Sequence, residues 1–154
     1  ERPDDRAAVC TVVEAAFGQP DEADLVEALQ AAGDAAIALV AERDGAVVGH
    51  VMLSPMRAPE RCLGLAPVSV APEHQSAGIG SALIVAGIER ARSGGWRGVF
   101  VLGHADYYPR FGFSPEAARG FESAFAGPHF MFLALSGDAP KDGQARYAAA
   151  FGET

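Results

Sequence analysis

The sequence predicts an α/β (α+β) layer fold with a mixed sheet. Three observations predict it. Two amphipathic helical segments open the chain, an Asp44-Gly45 hairpin signal then starts a run of strands, and near the middle a strand passes through a glycine-bearing loop into a long helix. At 154 residues the chain is long enough for one domain with a sizeable core and too short for two. Residues 1–154 are therefore expected to form a single domain.

The elements follow in order. Asp4 and Asp5 supply caps for a helix whose apolar stripe is Val9, Val12, Val13, Ala16 and Phe17, and Gly18 and Pro20 end it. Asp21 caps a second helix, with Leu25, Ala28, Leu29 and Ala32 on one side and Gly33 as its stop. The apolar period then shortens. Residues 36–42 and 46–54 read as the two arms of a hairpin around Asp44-Gly45. Residues 62–70 read as a strand despite Pro67. Residues 78–92 form a helix with Leu83, Ile84, Gly87, Ile88 and Ala91 on a broad apolar face, stopped by Ser93-Gly94-Gly95. Residues 98–102 are a buried strand, 105–111 a short helical turn closed by Gly112, and 130–135 and 146–151 late strands.

Composition narrows the function. Twelve Lys and Arg face twenty Asp and Glu, a net charge of −8, which makes the chain a poor candidate for binding nucleic acid or an anionic membrane, since both require a basic face. Residues 1–34 alone hold nine acids and two bases, a net −7. No apolar run reaches the roughly 18 residues of a membrane span, and no basic segment leads into an apolar one as in a secretory signal, so a cytoplasmic location is expected. Cys10 and Cys62 are too few for a disulfide framework or a zinc site, and read as buried reduced thiols. No metal is expected.

The chemistry concentrates in residues 68–83, Val-Ser-Val-Ala-Pro-Glu-His-Gln-Ser-Ala-Gly-Ile-Gly-Ser-Ala-Leu. Here a strand enters a loop, Gln75-x-x-Gly78-x-Gly80, that opens a helix. The first turn of a helix has backbone N–H groups without internal partners, and its dipole places partial positive charge there. Glycines at 78 and 80 leave room for a bulky anion. A dinucleotide fingerprint would need a third glycine where Leu83 stands, and an early βαβ unit. A P-loop would need a lysine, and none precedes Lys141. A plain turn without ligand is the remaining rival.

The pattern Val-x-Pro-x-x-Gln-x-x-Gly-x-Gly-x-x-Leu resembles the acetyl-CoA loop of the GNAT superfamily of N-acetyltransferases. Downstream, Tyr107-Tyr108-Pro109-Arg110-Phe111-Gly112-Phe113 is similar to the family's Tyr-x-x-x-Gly-Phe. The wider stretches 64–70 and 101–113 resemble a subgroup of bacterial acetyltransferases of unassigned substrate. The resemblance covers nearly the whole chain, with the family's first strand absent or trimmed ahead of Glu1. It implies a mostly antiparallel central sheet, helices on both faces, and a V-shaped splay between the family's fourth and fifth strands. It also implies acetyl-CoA as co-substrate. The pantetheine would pair with Val68, Ser69 and Val70 as a pseudo-strand. The diphosphate would lie on the loop, Gln75 with the amides of Ser76, Ala77, Gly78, Ile79, Gly80 and Ser81. Tyr108 would face the thioester sulfur as acid, with Tyr107 its competitor. Pro67, which cannot donate a ladder bond, suits a bulge or a splayed strand.

Two family features are missing. The asparagine that many members carry before the tyrosine falls on Val101, with Gly103, His104 and Asp106 nearby. The fourth-strand glutamate has no counterpart in residues 62–70, so the base is a water held by backbone groups or a side chain from another element. Among the histidines, His50 and His104 rank ahead of His74 and His129 for that role. The implied activity is acetyl transfer to a primary amine by direct attack in a ternary complex. The rival is a catalytically weak acyl-CoA-binding sensor or interaction module of the same fold. A longer acyl chain and an oxygen acceptor are further variants. The acidic N-terminal stretch implies a cationic acceptor such as a polyamine, an aminoglycoside-like amine or a lysine-bearing peptide, with Glu22, Asp24 and Glu27 contributing because they lie near the inter-helix connection. A homodimer is also among the expectations.

Overall fold

Valine spacing builds the first layer. In the computed structural model, which describes residues 1–152, Val9, Val12 and Val13 bury one face of α1 (Arg6–Phe17), and Ala23, Val26 and Leu29 bury one face of α2 (Asp21–Ala31). Residues 153–154 of the expected domain lie outside the described residues. Helix α1 ends where Gly18 turns left-handed, at φ +71°. Its cap differs from expectation. Asp5 occupies the N-cap position, but its carboxylate accepts the backbone N–H of Arg2 at 2.8 Å, not a helical N–H. Asp21 is the first helical residue, after Pro20.

The hairpin joins β1 (Ile37–Arg43) to β2 (Ala46–Pro55), and both Asp44 and Gly45 have positive φ as a primed turn requires. Then come β3 (Cys62–Val70), α3 (Ile79–Ser93) and β4 (Gly98–Leu102). After them lie α4 (Pro115–Ala118), β5 (Phe121–Glu122), β6 (Phe130–Ala134) and β7 (Gly143–Gln144). The main sheet has the order β1-β2-β3-β4-β6, antiparallel except for β3 with β4; β5 and β7 form a separate two-stranded pair. Helix α3 covers one face: Leu83, Ile84 and Ile88 pack with Val51, Leu53, Leu63 and Val99. Each such side chain is worth about 1.5–3 kcal/mol when buried. Gly87 lets α3 sit close, because a Cβ there would come within 2.9 Å of Leu53 Cδ1. Helices α1 and α2 pack over Met52 on the other face, beside an aromatic cluster built on Phe100, Phe130, Phe132 and Tyr147.

The splay between the family's fourth and fifth strands falls between β3 and β4. These strands pair only over Cys62–Gly98, Leu63–Val99 and Gly64–Phe100, so residues 65–70 of β3 run on with no strand partner on that side among the described residues. On the other side the β2–β3 register shifts between Val51 and Leu53, where Ala66 and Pro67 together oppose Met52. The proline thus stands in a bulge, where no ladder bond is asked of it.

Two further expectations need correction. Residues 146–151 are not a strand: Arg146 forms a lone bridge with Ala58, and Ala149–Phe151 is a 3-10 turn. Side-chain packing of Tyr147 and Phe151 holds this segment. Of residues 105–111, only Tyr108–Phe111 is helical, as one 3-10 turn ended by Gly112 at φ +101°. Helix α4 and strands β5 and β7 went unpredicted, being too short to show a period.

Tyr147 also makes Gly64 irreplaceable. A Cβ on Gly64 would lie 2.5 Å from Tyr147 Cε1 and 3.3 Å from Met56 Sδ. The tyrosine ring is buried and has nowhere to retreat. Gly64→Ala is expected to destabilise the fold by about 1–3 kcal/mol, the usual overpacking cost. Urea unfolding checks this: the midpoint should fall with the slope unchanged.

Candidate active site at the strand splay

Beyond Gly64 the edge of β3 that faces the splay has no strand partner among the described residues. The Ala71 N–H reaches Val48 O at 2.8 Å, so that residue turns its amide toward β2. By strand alternation Val70 and Val68 turn theirs to the other side, into the splay. Val70 O confirms the direction, since it accepts from Gln75 Nε2 at 3.0 Å. Ser69, between them, pairs across the ladder with His50; its side chain is buried and its Oγ finds no partner among the described residues.

Gln75 therefore braces the loop that follows. Ser76 and Gly78 both adopt positive φ, +68° and +83°, and this bends the chain so that α3 starts at Ile79 with its first-turn amides unpaired within the helix. A cleft of about 230 Å³ lies against them, lined by Val70, His74, Gln75, Ser76, Gly78, Ile79, Gly80, Ser81 and Tyr107. Ala77 is exposed on the loop and does not line it. Gly80 differs from Gly78. Its backbone is an ordinary helical one, and a Cβ would meet only Val70 Cγ2, at 3.6 Å. Nothing in the protein's own packing requires glycine there. Two cationic groups flank this cleft in an otherwise acidic chain: Arg43 Nη1 lies 3.4 Å from His74 Nδ1, and the Arg110 guanidinium sits 4.5 Å from the Tyr107 ring centre.

The two tyrosines part company. Tyr107 reaches the loop, its hydroxyl 2.8 Å from Ser81 Oγ. Tyr108 turns to the α3-side core, edge-on to Phe113 with ring centres 5.8 Å apart, and a Cβ on Gly103 would run into its ring. The Tyr108 hydroxyl makes no hydrogen bond among the described residues and is not one of the enclosed unpaired atoms, so it is open to a ligand. Burial, helped by Tyr107, pushes Tyr108 above the usual tyrosine value and keeps it protonated. Sequence spacing could not divide these roles between adjacent residues. Tyr107→Phe is expected to raise the KM for CoA thioesters roughly two- to tenfold, the worth of one hydrogen bond, and to leave kcat near wild type.

His50 does not face the splay. It is fully buried on the α1/α2 side, its Nε2 2.8 Å from Glu1 Oε1. Burial lowers its pKa against the opposing pull of Glu1, so it is held neutral. Its backbone position on β2 was legible, but not the side chain's direction. His104 is exposed in the loop before Tyr107, and His74 and His129 lie at loop rims. Cys62 is buried as expected, but Cys10 is only half-buried and donates to Glu27 Oε1 at 3.1 Å. Burial pushes both thiols up to about 11, with Glu27 adding to the shift of Cys10. Glu27 is thus engaged between α1 and α2, and Glu22 accepts from Gln19 at 3.1 Å, while Asp24 is exposed. Among the described residues no group of three His, Cys, Asp or Glu is arranged to hold a metal, and no helix is long and apolar enough to cross a membrane.

Comparison with known proteins fits this geometry. The model of the acetyltransferase (GNAT) family matches residues 7–113. An uncharacterized N-acetyltransferase of Escherichia coli (strain K12), YjhQ, is 43% identical over 122 residues, covering 73% of this chain and 67% of its own. Among solved structures, a GNAT family acetyltransferase from Brucella melitensis in complex with acetyl-CoA superposes with a TM-score of 0.84 at 40% identity, over 98% of this chain and 94% of that one. The GNAT family N-acetyltransferase YhbS from Escherichia coli, in complex with CoA, gives a TM-score of 0.91 at 28% identity, over 99% and 89%. An open strand edge, an anion-ready helix start and a tyrosine with a free hydroxyl all lie within the matched span, and the chain belongs to the GNAT acetyltransferase family.

Proposed function

We propose that this chain moves an acetyl group from acetyl-CoA to a primary amine by direct attack in a ternary complex. The observation that carries the reading is the unpaired β3 edge running straight into the loop at the start of α3. Val68 and Val70 would pair with the pantetheine arm, and the amides of residues 76–81 would receive the diphosphate. The neutral amine nitrogen attacks the thioester carbonyl carbon. A C–N bond forms, the C–S bond breaks, and the nitrogen's extra proton leaves to water. Holding both reactants in one cleft removes much of the entropic barrier. A β3 amide aimed into the splay stabilises the carbonyl oxygen as it gains charge. The departing thiolate takes a proton from Tyr108, which water reprotonates; an acceptor that arrives as an ammonium gives its first proton to water before the attack.

No carboxylate stands on β3, and this favours one other reading, a domain that binds acyl-CoA without transferring. Free-thiol release from acetyl-CoA over a panel of amines separates the two. Binding without release from any amine would sink the transfer.

The acceptor's reacting end arrives as an ammonium, drawn by the acidic face of residues 1–34. Glu22 and Glu27 have intramolecular partners, so Asp24 is the freest of the three acids near the helix connection. The kcat/KM for a true acceptor is expected to fall as salt rises, because surface steering is screened over about 8 Å at physiological ionic strength. A kcat/KM that ignores both salt and the combined Glu22→Gln, Asp24→Asn and Glu27→Gln changes would leave the acids as solvated surface only.

A further inference from the structure

The groups that β3 turns into the splay hinge on one residue. The Ala71 N–H donates to Val48 O at 2.8 Å, so the next bonded pair of this antiparallel ladder is His50 with Ser69, which exchange both of their backbone hydrogen bonds. Each peptide unit is planar and rigid. The unit between Ser69 and Val70 therefore carries its C=O toward His50 and its N–H into the splay. The unit between Val68 and Ser69 carries its N–H toward His50 and its C=O into the splay. A twist at Ser69 re-aims both groups together, and Ser69 is tied to His50.

The His50 ring is anchored in turn. Its Nε2 lies 2.8 Å from Glu1 Oε1, and Gln30 of α2 donates to Glu1 Oε2. A carboxylate only accepts, so Nε2 carries the hydrogen, and in the neutral ring Nδ1 is left as a bare acceptor. Nδ1 finds no hydrogen-bond partner among the described residues, although His50 is fully buried. Ser69 is 1% exposed, and its Oγ finds none either. A donor and an acceptor, each without a partner, thus stand on directly opposed residues, and opposed residues of a ladder turn their side chains to the same face. Buried polar groups are costly to leave unpaired. A turn of the hydroxyl about χ1, or one bridging water, joins the two.

We propose that His50 and Ser69 are positioning residues for the pantetheine arm of the cofactor. Ser69 Oγ–H donates toward His50 Nδ1, directly or through one water, and the chain Ser69–His50–Glu1–Gln30 holds the Val68 C=O and the Val70 N–H at the angle that the arm requires. This rests on the placement of the arm along β3 proposed above. Neither side chain touches the thioester or moves a proton in the transfer; both act through the backbone of β3.

Calorimetric titrations with CoA and with ADP read the arm and the diphosphate separately, because ADP has a diphosphate and lacks the arm. Ser69→Ala should weaken CoA roughly three- to tenfold, the worth of one hydrogen bond, and leave ADP unchanged. His50→Gln keeps an N–H for Glu1 and gives up Nδ1. It should weaken CoA to a similar extent, and the double variant should bind no more weakly than either single one, because both changes remove the same bond. Ser54→Ala is the control for a purely structural hydroxyl. Ser54 Oγ is also buried and finds no partner among the described residues, but Ser54 stands opposite Gly64, where β3 is still paired with β4. CoA affinity should stay at the wild-type value in Ser54→Ala, whatever its melting temperature does. Val70→Pro removes the splay N–H itself and should weaken CoA while sparing ADP. CoA affinity indifferent to Ser69→Ala, additive losses in the double variant, an equal loss in Ser54→Ala, or ADP weakening in step with CoA overturns the positioning. If His50→Gln does not fold, the comparison of Ser69→Ala with Ser54→Ala still decides. A loss in Val70→Pro with Ser69→Ala neutral overturns the positioning alone. CoA affinity untouched by Val70→Pro takes the arm off β3, and the positioning falls with that placement.

Discussion

Gly80→Asp is expected to abolish binding of CoA and acetyl-CoA while leaving the protein folded. A Cβ at this position meets only Val70 Cγ2, at 3.6 Å, and the residue's φ is one that any side chain adopts. Aspartate is accordingly accommodated by the protein. It is not accommodated by a diphosphate seated on the first turn of α3, because its carboxylate would fall in the cleft lined by Gly78, Gly80 and Ser81. Placing like charges together at a binding surface costs several kcal/mol. At about 1.4 kcal/mol per factor of ten, affinity should fall by roughly a thousandfold or more. Gly80→Ala is the control: it adds the Cβ without the charge and should cost far less. Calorimetric titration with CoA, alongside a thermal melt, reads both. An unchanged CoA affinity in a folded Gly80→Asp protein would remove the diphosphate from this loop.

That experiment tests a feature the sequence displayed openly, and the contrast with hidden features is instructive. Gly78 and Gly80 were visible as a pair, but one serves the backbone and the other the open space. Only the φ of Gly78 and the empty surroundings of Gly80 tell them apart. The hairpin, β3, α3 and β4 were legible because each combines a period with a turn or cap signal. Pro67 announced an irregularity in β3, and the bulge and the splay both lie there. Strands β5 and β7, two residues each, leave no periodic trace. Nor could the chain show that Tyr107 meets Ser81, since 26 positions separate them and packing alone brings them together. His50 was misread for a related reason. Period-two alternation says that successive side chains take opposite faces, but not which face a helix will cover. Met52 and His50 share the face that α1 and α2 bury.

Tyr108→Phe is expected to lower kcat roughly ten- to ten-thousandfold, the span around a positioned general acid, with CoA affinity little changed. The ring is fixed against Phe113, Tyr107 and Gly103, and phenylalanine fills the same space, so the fold should survive. Only the hydroxyl is lost, and it makes no hydrogen bond among the described residues, while that of Tyr107 is spent on Ser81. The pH dependence gives an independent check. Burial raises the pKa of Tyr108 above the ordinary tyrosine value of about 10, so its acid form persists through neutral pH and is lost only as pH rises through that higher value. An alkaline fall in kcat should therefore lie above pH ~10 in the wild type and vanish in Tyr108→Phe. The adjacent ring supplies the opposing outcome. Tyr107→Phe should alter KM for the thioester, because its hydroxyl is bonded to Ser81 at the start of α3. A kcat collapse in Tyr107→Phe with Tyr108→Phe near wild type would assign the acid to the residue bonded to Ser81.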